Sequence, residues 1–211
     1  MGISIIFDMD GTLLDSRVGI TRAINFVRAS RSLEPVSSDE VVRVINDETI
    51  SAARYFYGVD EYTARDRELF EGIYWEICTQ ELVLYDGIGD LLEEIRRSGA
   101  MMAVATNASS RFARKMIDHV GIGEYFTHIL GYNDVAASKP APDMLQAILA
   151  DHRPKVASFM VGDSIKDMKA ARAAGVQGVL AKWGYTPEVS SYDHPINHPR
   201  ELLDLIQKGI G

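Results

Sequence analysis

The sequence predicts an α/β protein, a parallel sheet with helices on both faces, interrupted after its first strand by an all-helical insert. Five short apolar segments read as strands, and from about residue 83 they alternate with helix-like stretches, which implies βαβ units. Residues 16–82 break that rhythm, with four helical segments and no strand between them. The first strand also stops abruptly at two carboxylates, and ligands of such sheets collect at the carboxyl ends of the strands. The expected division is a sheet domain from residues 1–15 and 83–211, with residues 16–82 forming the insert.

Residues 4–7 make the first strand. The insert follows with a helix at 16–31 and a second at 37–45, opened by Ser37-x-x-Glu40, which reads as a capping box. A third helix at 49–56 ends before Gly58. A fourth at 60–80 carries Phe70, Ile73, Tyr74 and Ile77 at helical spacing, a pattern of core packing. Tyr85-Asp86-Gly87 marks the return to the sheet domain. There a helix at 89–98 has Leu91, Leu92 and Ile95 on one side. Strand 101–105 is followed by a helix at 111–120, with Phe112, Met116 and Val120 at fourfold spacing. Strand 128–131, helix 142–150, strand 156–161, helix 165–174 and strand 178–181 complete the alternation. His194-Pro195 and His198-Pro199 lie in a segment read as turn-rich, before a last helix at 200–208.

The bulk numbers narrow the function classes. The chain has 211 residues, 46% of them hydrophobic, enough for a sizeable core. Net charge is −8, from 22 basic and 30 acidic residues with no Lys/Arg block, which argues against a nucleic-acid surface. No apolar run approaches the length a membrane helix needs, and no signal peptide is expected, so the cytoplasm is the expected location. The single cysteine, Cys78, excludes an intramolecular disulfide and a Cys-rich zinc site, and a packing role is expected for it. The five histidines show no metal spacing.

The chemistry concentrates at strand ends. Asp8-Met9-Asp10-Gly11-Thr12 follows the first strand, and strand alternation would put Asp8 and Asp10 on one side. Isolated charges are costly to desolvate, so such a pair wants a cation or a reaction. Thr106-Asn107 ends strand 101–105, and residues of these types favour the cap of a following helix. Lys139 sits in Ser138-Lys139-Pro140-Ala141-Pro142, whose two prolines fix the backbone around it. Gly162-Asp163-Ser164 ends strand 156–161, with Asp167 in the first turn of the next helix, a position the helix dipole also favours for an acid.

These four segments, in this order, resemble motifs I to IV of the haloacid dehalogenase-like hydrolase superfamily. The resemblance implies a Rossmann-like core and a C1-type helical cap at residues 16–82. It implies that Asp8 is the phosphoryl-accepting nucleophile and Asp10 the general acid/base. Thr106, Asn107 and Lys139 would hold the phosphoryl group. Asp8, Asp10 and Asp163 would hold Mg²⁺, with Asp167 orienting Lys139 or a metal-bound water. The acid at Asp10 points to a phosphatase or phosphomutase. Together with Ala181-Lys182-Trp183-Gly184-Tyr185, the sequence looks most similar to the phosphoglycolate phosphatase-like group. That implies a Mg²⁺-dependent phosphatase of a small phosphate ester, acting as monomer or homodimer without nucleic-acid or membrane partners. The alternatives are a β-phosphoglucomutase-like sugar phosphomutase and a non-catalytic phosphate-binding protein. Substrate choice would fall to the cap loop, where Arg43, Asn46 and Asp47 stand, with Arg17 and Arg22 on the first cap helix.

Overall fold

The structure, a computed structural model, describes residues 2–47, 49–151, 157–185, 189 and 191–208. The chain divides into two compact units, one from residues 1–15 and 84–211, the other from residues 16–83. In chain order the elements are β1 (Ile3–Phe7), β2 (Leu14–Asp15), α1 (Arg17–Ser30), α2 (Ser38–Asn46), α3 (Ala52–Tyr57), α4 (Ala64–Glu81) and β3 (Val83–Leu84). Then come α5 (Ile88–Ser98), β4 (Met101–Ala105), α6 (Ser110–His119), β5 (His128–Leu130), α7 (Asp143–Asp151), β6 (Ala157–Gly162), α8 (Ile165–Ala174), β7 (Gln177–Ala181), β8 (His194–Ile196) and α9 (Glu201–Lys208).

The first unit holds a six-stranded sheet in the order β5-β4-β1-β6-β7-β8, with every pair parallel. β1 and β4 are buried along their whole length, as central strands covered on both faces must be. Ile6, Ala103, Ala105 and Met160 pack with Met144, Leu145 and Ile148 of α7 and with Ala170 and Ala171 of α8. Ile88, Leu91, Leu92 and Ile95 form the buried stripe of α5. The chain runs from β1 to β4 and β5 on one side, then returns to β6, β7 and β8 on the other. The order therefore reverses between β1 and β6, the crevice where open α/β sheets bind ligands. The ladder continues one residue past β1, because the Asp8 N–H donates to the Val161 carbonyl at 2.8 Å.

The 16–83 unit is helical. Gly19 lets α1 and α4 approach closely, since a Cβ there would lie 2.8 Å from the Tyr74 ring. Cys78 is buried in α4. The Ser37–Glu40 capping box forms as expected. The third and fourth helices start later than their periodicity suggests, and local polar chemistry explains both. The Thr49 N–H and hydroxyl both donate to Asp47 Oδ1, at 2.9 and 2.6 Å, which turns the chain before Ser51 caps α3. Thr63 and Asp66 form a second capping box, which begins α4 at Ala64 rather than at residue 60. Its aspartate stands where the usual pattern has Glu or Gln.

The segment read as a turn-rich loop contains a sixth strand of the sheet, β8. It is short, and Pro195 lacks a backbone donor, so its apolar signal is weak; proline is tolerated there because β8 is an edge strand. The expected start of β6 at Val156 lies outside the described residues. Among the described residues, no helix is long and apolar enough to cross a membrane.

Candidate active site

The sheet order sets the ends of β4, β1 and β6 side by side, and with them Thr106, Asp8 and Asp163. Lys139 reaches the same place from the loop before α7. Its ammonium is buried, and Nζ donates to Asp8 Oδ1 at 2.8 Å and to Asp167 Oδ1 at 2.6 Å. The Asn107 amide donates to the Lys139 carbonyl at 2.8 Å, tying that loop to the end of β4. The Lys139–Pro140 peptide is cis.

Asp167 serves two partners. Its Oδ2 closes a capping box with Ser164, accepting from the Ser164 N–H at 3.0 Å and hydroxyl at 2.6 Å, while Oδ1 holds Lys139. Asp163 is also buried, and its Oδ2 accepts from the Tyr185 backbone N–H at 2.6 Å. One carboxylate oxygen from each of Asp8, Asp163 and Asp167 lies within 4.8 Å of the other two.

Three carboxylates thus share one buried ammonium. Burial pushes Asp8 up to about 7, helped by the charges of Asp167 and Asp10 and opposed by Lys139. Burial also pushes Asp163 well above the carboxylate range, as do Asp167 and Asp8. Burial works against the Lys139 ammonium, but Asp167 and Asp8 outweigh it and hold the group protonated above the usual lysine range. The cluster is short of positive charge. A hard divalent cation on these oxygens would supply it, so the donor set fits such an ion.

A pH dependence follows. Asp8 and Asp163 have raised folded-state values, so the folded chain binds more protons than the unfolded one above the ordinary 3.8, for Asp8 up to about 7. Their contribution is fully present below that window and is lost as pH rises through it. In EDTA, the melting temperature should fall between about pH 5 and pH 8, and an Asp8→Asn/Asp163→Asn double variant should flatten the fall. Thermal melts across that range check this, and a steady rise in the unsubstituted protein would contradict it.

Residues 5–181 match the family model of the haloacid dehalogenase-like hydrolases. The chain belongs to that family. It is similar to a phosphoglycolate phosphatase of Pectobacterium atrosepticum, at 31% identity over 95% of this chain and 90% of the relative. It is also similar to an N-acetylmuramic acid 6-phosphate phosphatase of Pseudomonas aeruginosa, at 30% identity over 98% and 96%. Among solved structures, a predicted phosphoglycolate phosphatase of Haemophilus somnus shares the fold with a TM-score of 0.83, at 24% identity over 96% and 97% of the two chains. Within the family, this hydrolase falls in the phosphoglycolate phosphatase-like group and is a phosphomonoester hydrolase.

The structure adds detail to the sequence-based expectations. The group of three carboxylates is Asp8, Asp163 and Asp167, and Asp10, on the turn that follows Asp8, acts on Asp8 through its charge. Strand geometry ends at Phe7. Thr12, Leu13 and Leu14 all donate to the Met9 carbonyl, so the alternation that would align Asp10 with Asp8 does not extend that far. Thr106 and Asn107 do not cap α6, which starts after Ser109. The Thr106 hydroxyl instead accepts from the Ala108 N–H at 3.1 Å. Sequence reasoning missed the brace behind this turn, where Ser110 N donates to Asn133 and Ser110 Oγ to Asp134.

In the helical unit, the Arg43 guanidinium lies 5.4 Å from the Tyr55 ring centre and donates to its hydroxyl at 3.3 Å. Asn46 donates to the Val42 carbonyl of its own helix, and Arg22 pairs with Glu81 at 2.5 Å. Asp47 is taken up by Thr49.

Proposed function

We propose that this hydrolase is a Mg²⁺-dependent phosphatase of a small, carboxylate-bearing phosphate ester such as phosphoglycolate, acting through phosphorylated Asp8. The observation that carries the reading is Lys139 Nζ seated on both Asp8 and Asp167 beside the Asp163 carboxylate. Two relatives whose names specify phosphorylated carboxylic acids support the substrate class.

A phosphate dianion and the Asp8 carboxylate repel each other. Lys139 is placed to offset that repulsion, held against Asp8 by Asp167. Asp8 attacks phosphorus in line, and the bond to the ester oxygen breaks. Asp10 gives its proton to the departing alcohol. It then takes a proton from the water that attacks the aspartyl phosphate, releasing phosphate and restoring the carboxylate. Thr106 and Asn107 would hold phosphoryl oxygens. Mg²⁺ would be held by Asp8 and Asp163, with Asp10 on the adjoining turn, and would supply charge neutralisation for the transferring group.

The test is a panel of phosphate esters assayed with Mg²⁺ and with excess EDTA. Hydrolysis that needs Mg²⁺ and favours acidic esters is expected. No phosphate release with any ester, or undiminished release in EDTA, would contradict the reading. On hexose phosphates, an isomerised product without free phosphate would favour the mutase instead.

Substrate choice gives a further prediction. If Arg43 reads the substrate carboxylate, Arg43→Ala should lower kcat/KM for phosphoglycolate about ten- to a hundredfold more than for p-nitrophenyl phosphate, the value of one charged hydrogen bond. Equal losses on both would assign Arg43 to its packing on Tyr55.

A further inference from the structure

The segment after β7 takes no part in the chemistry above, yet it reaches the site at three consecutive residues. Gly184 N donates to the Ala181 carbonyl at 3.2 Å, turning the chain back as it leaves the sheet. The Trp183 indole Nε1–H then donates to the Thr12 carbonyl at 3.0 Å, on the turn that follows Asp8 and Asp10. The Tyr185 backbone N–H donates to Asp163 Oδ2 at 2.6 Å. Between them Gly184 is pressed onto both partners. A Cβ there would lie 2.2 Å from the Asp163 Cβ and 2.4 Å from the Gly11 carbonyl oxygen. Gly11, at φ +80°, closes in as well, since its Cβ would lie 2.4 Å from Asp163 Oδ2. The Asp163 side chain is thus packed against two glycines, with one oxygen committed to a backbone donor.

We propose that residues 183–185 form a positioning strap for Asp163, fixing the rotation of its carboxylate so that a divalent cation meets it already aimed. A backbone N–H suits this task. It cannot rotate away, it does not titrate in the working range, and it offsets part of the cost of a third buried carboxylate. The indole bond to Thr12 locks the strap to the turn after the nucleophile, so that Asp8 and Asp163 are set by one connected unit. The inference rests on Asp163 being a metal ligand, as proposed above.

The experiment is a calorimetric titration of Mg²⁺ into the unsubstituted protein, Y185P, Y185F and W183F, each checked by circular dichroism. Y185P deletes the donor, and Y185F keeps it. Loss of an outer partner of a metal ligand weakens binding about ten- to a hundredfold, so Y185P should weaken Mg²⁺ by that factor while Y185F matches the unsubstituted protein. W183F should keep the fold and also bind Mg²⁺ more weakly. Failure of the unsubstituted protein to bind Mg²⁺ would overturn the metal reading itself. Tight Mg²⁺ binding that persists in a folded Y185P would overturn the strap alone. So would an equal loss in Y185F, which would move the role to the phenol. If Y185P does not fold, W183F decides: weaker Mg²⁺ binding supports the strap, and unchanged binding overturns it.

Discussion

Asp8→Asn is expected to abolish turnover and leave the protein folded. An amide cannot accept the phosphoryl group, so no covalent intermediate forms. Removing the nucleophile of such a unit costs on the order of 10⁴-fold or more in kcat. The fold should survive, because an Asn oxygen can still accept from Lys139 while one of three crowded carboxylates is gone. Burial already pushes the Asp8 carboxyl up to about 7. A neutral side chain should therefore raise the melting temperature of the metal-free protein near pH 8. Hydrolysis of p-nitrophenyl phosphate and a thermal melt check both halves. Near-normal activity would remove Asp8 from the chemistry, and a collapsed fold would make it structural.

Lys139→Met is expected to cost both stability and activity. The lysine is the buried cation between Asp8 and Asp167, at 2.8 and 2.6 Å. Breaking a buried pair from one side costs about 3–5 kcal/mol, because the orphaned charges stay buried. The loss should be larger near pH 8 than near pH 5, since Asp8 can take up a proton at the lower pH. Adding Asp167→Asn should restore much of the stability, because it removes the charge that Lys139 neutralised. It should not restore turnover, because the positive charge facing the phosphoryl group is still missing. Denaturant melts and kinetics of the single and double variants form the test. An unchanged melt for Lys139→Met would contradict the buried ion pair.

Much of the sheet was legible because its central strands are short and wholly apolar. Residues 101–105 and 165–174 have the bounds their sequence predicts, where an apolar run or a helical period starts and stops sharply. Edge strand β8 was not legible, since three residues around a proline carry no period. Late helix starts at Ala52 and Ala64 depend on side-chain bonds to the backbone that periodicity does not register. At the candidate site, residues singled out just past β1 and β6, on α8 and in the proline loop do come together, with Lys139 on Asp8 and Asp167 and the Asp163 carboxylate beside them. Strand alternation stops short of Asp10, because Thr12, Leu13 and Leu14 turn back onto the Met9 carbonyl. The Tyr185 N–H was invisible for a different reason: any residue but proline has a backbone donor, and only the fold says where it points.

The most direct test of the account is to catch the covalent intermediate. The protein would be mixed with Mg²⁺ and a phosphate ester it hydrolyses, quenched in acid within a turnover, and examined by intact-mass and peptide-mapping mass spectrometry. The account predicts one added phosphoryl group on the peptide containing Asp8, removed by hydroxylamine and absent from Asp8→Asn. Steady hydrolysis with no phosphorylated protein at any quench time, and with Asp8→Asn still turning over, would contradict it.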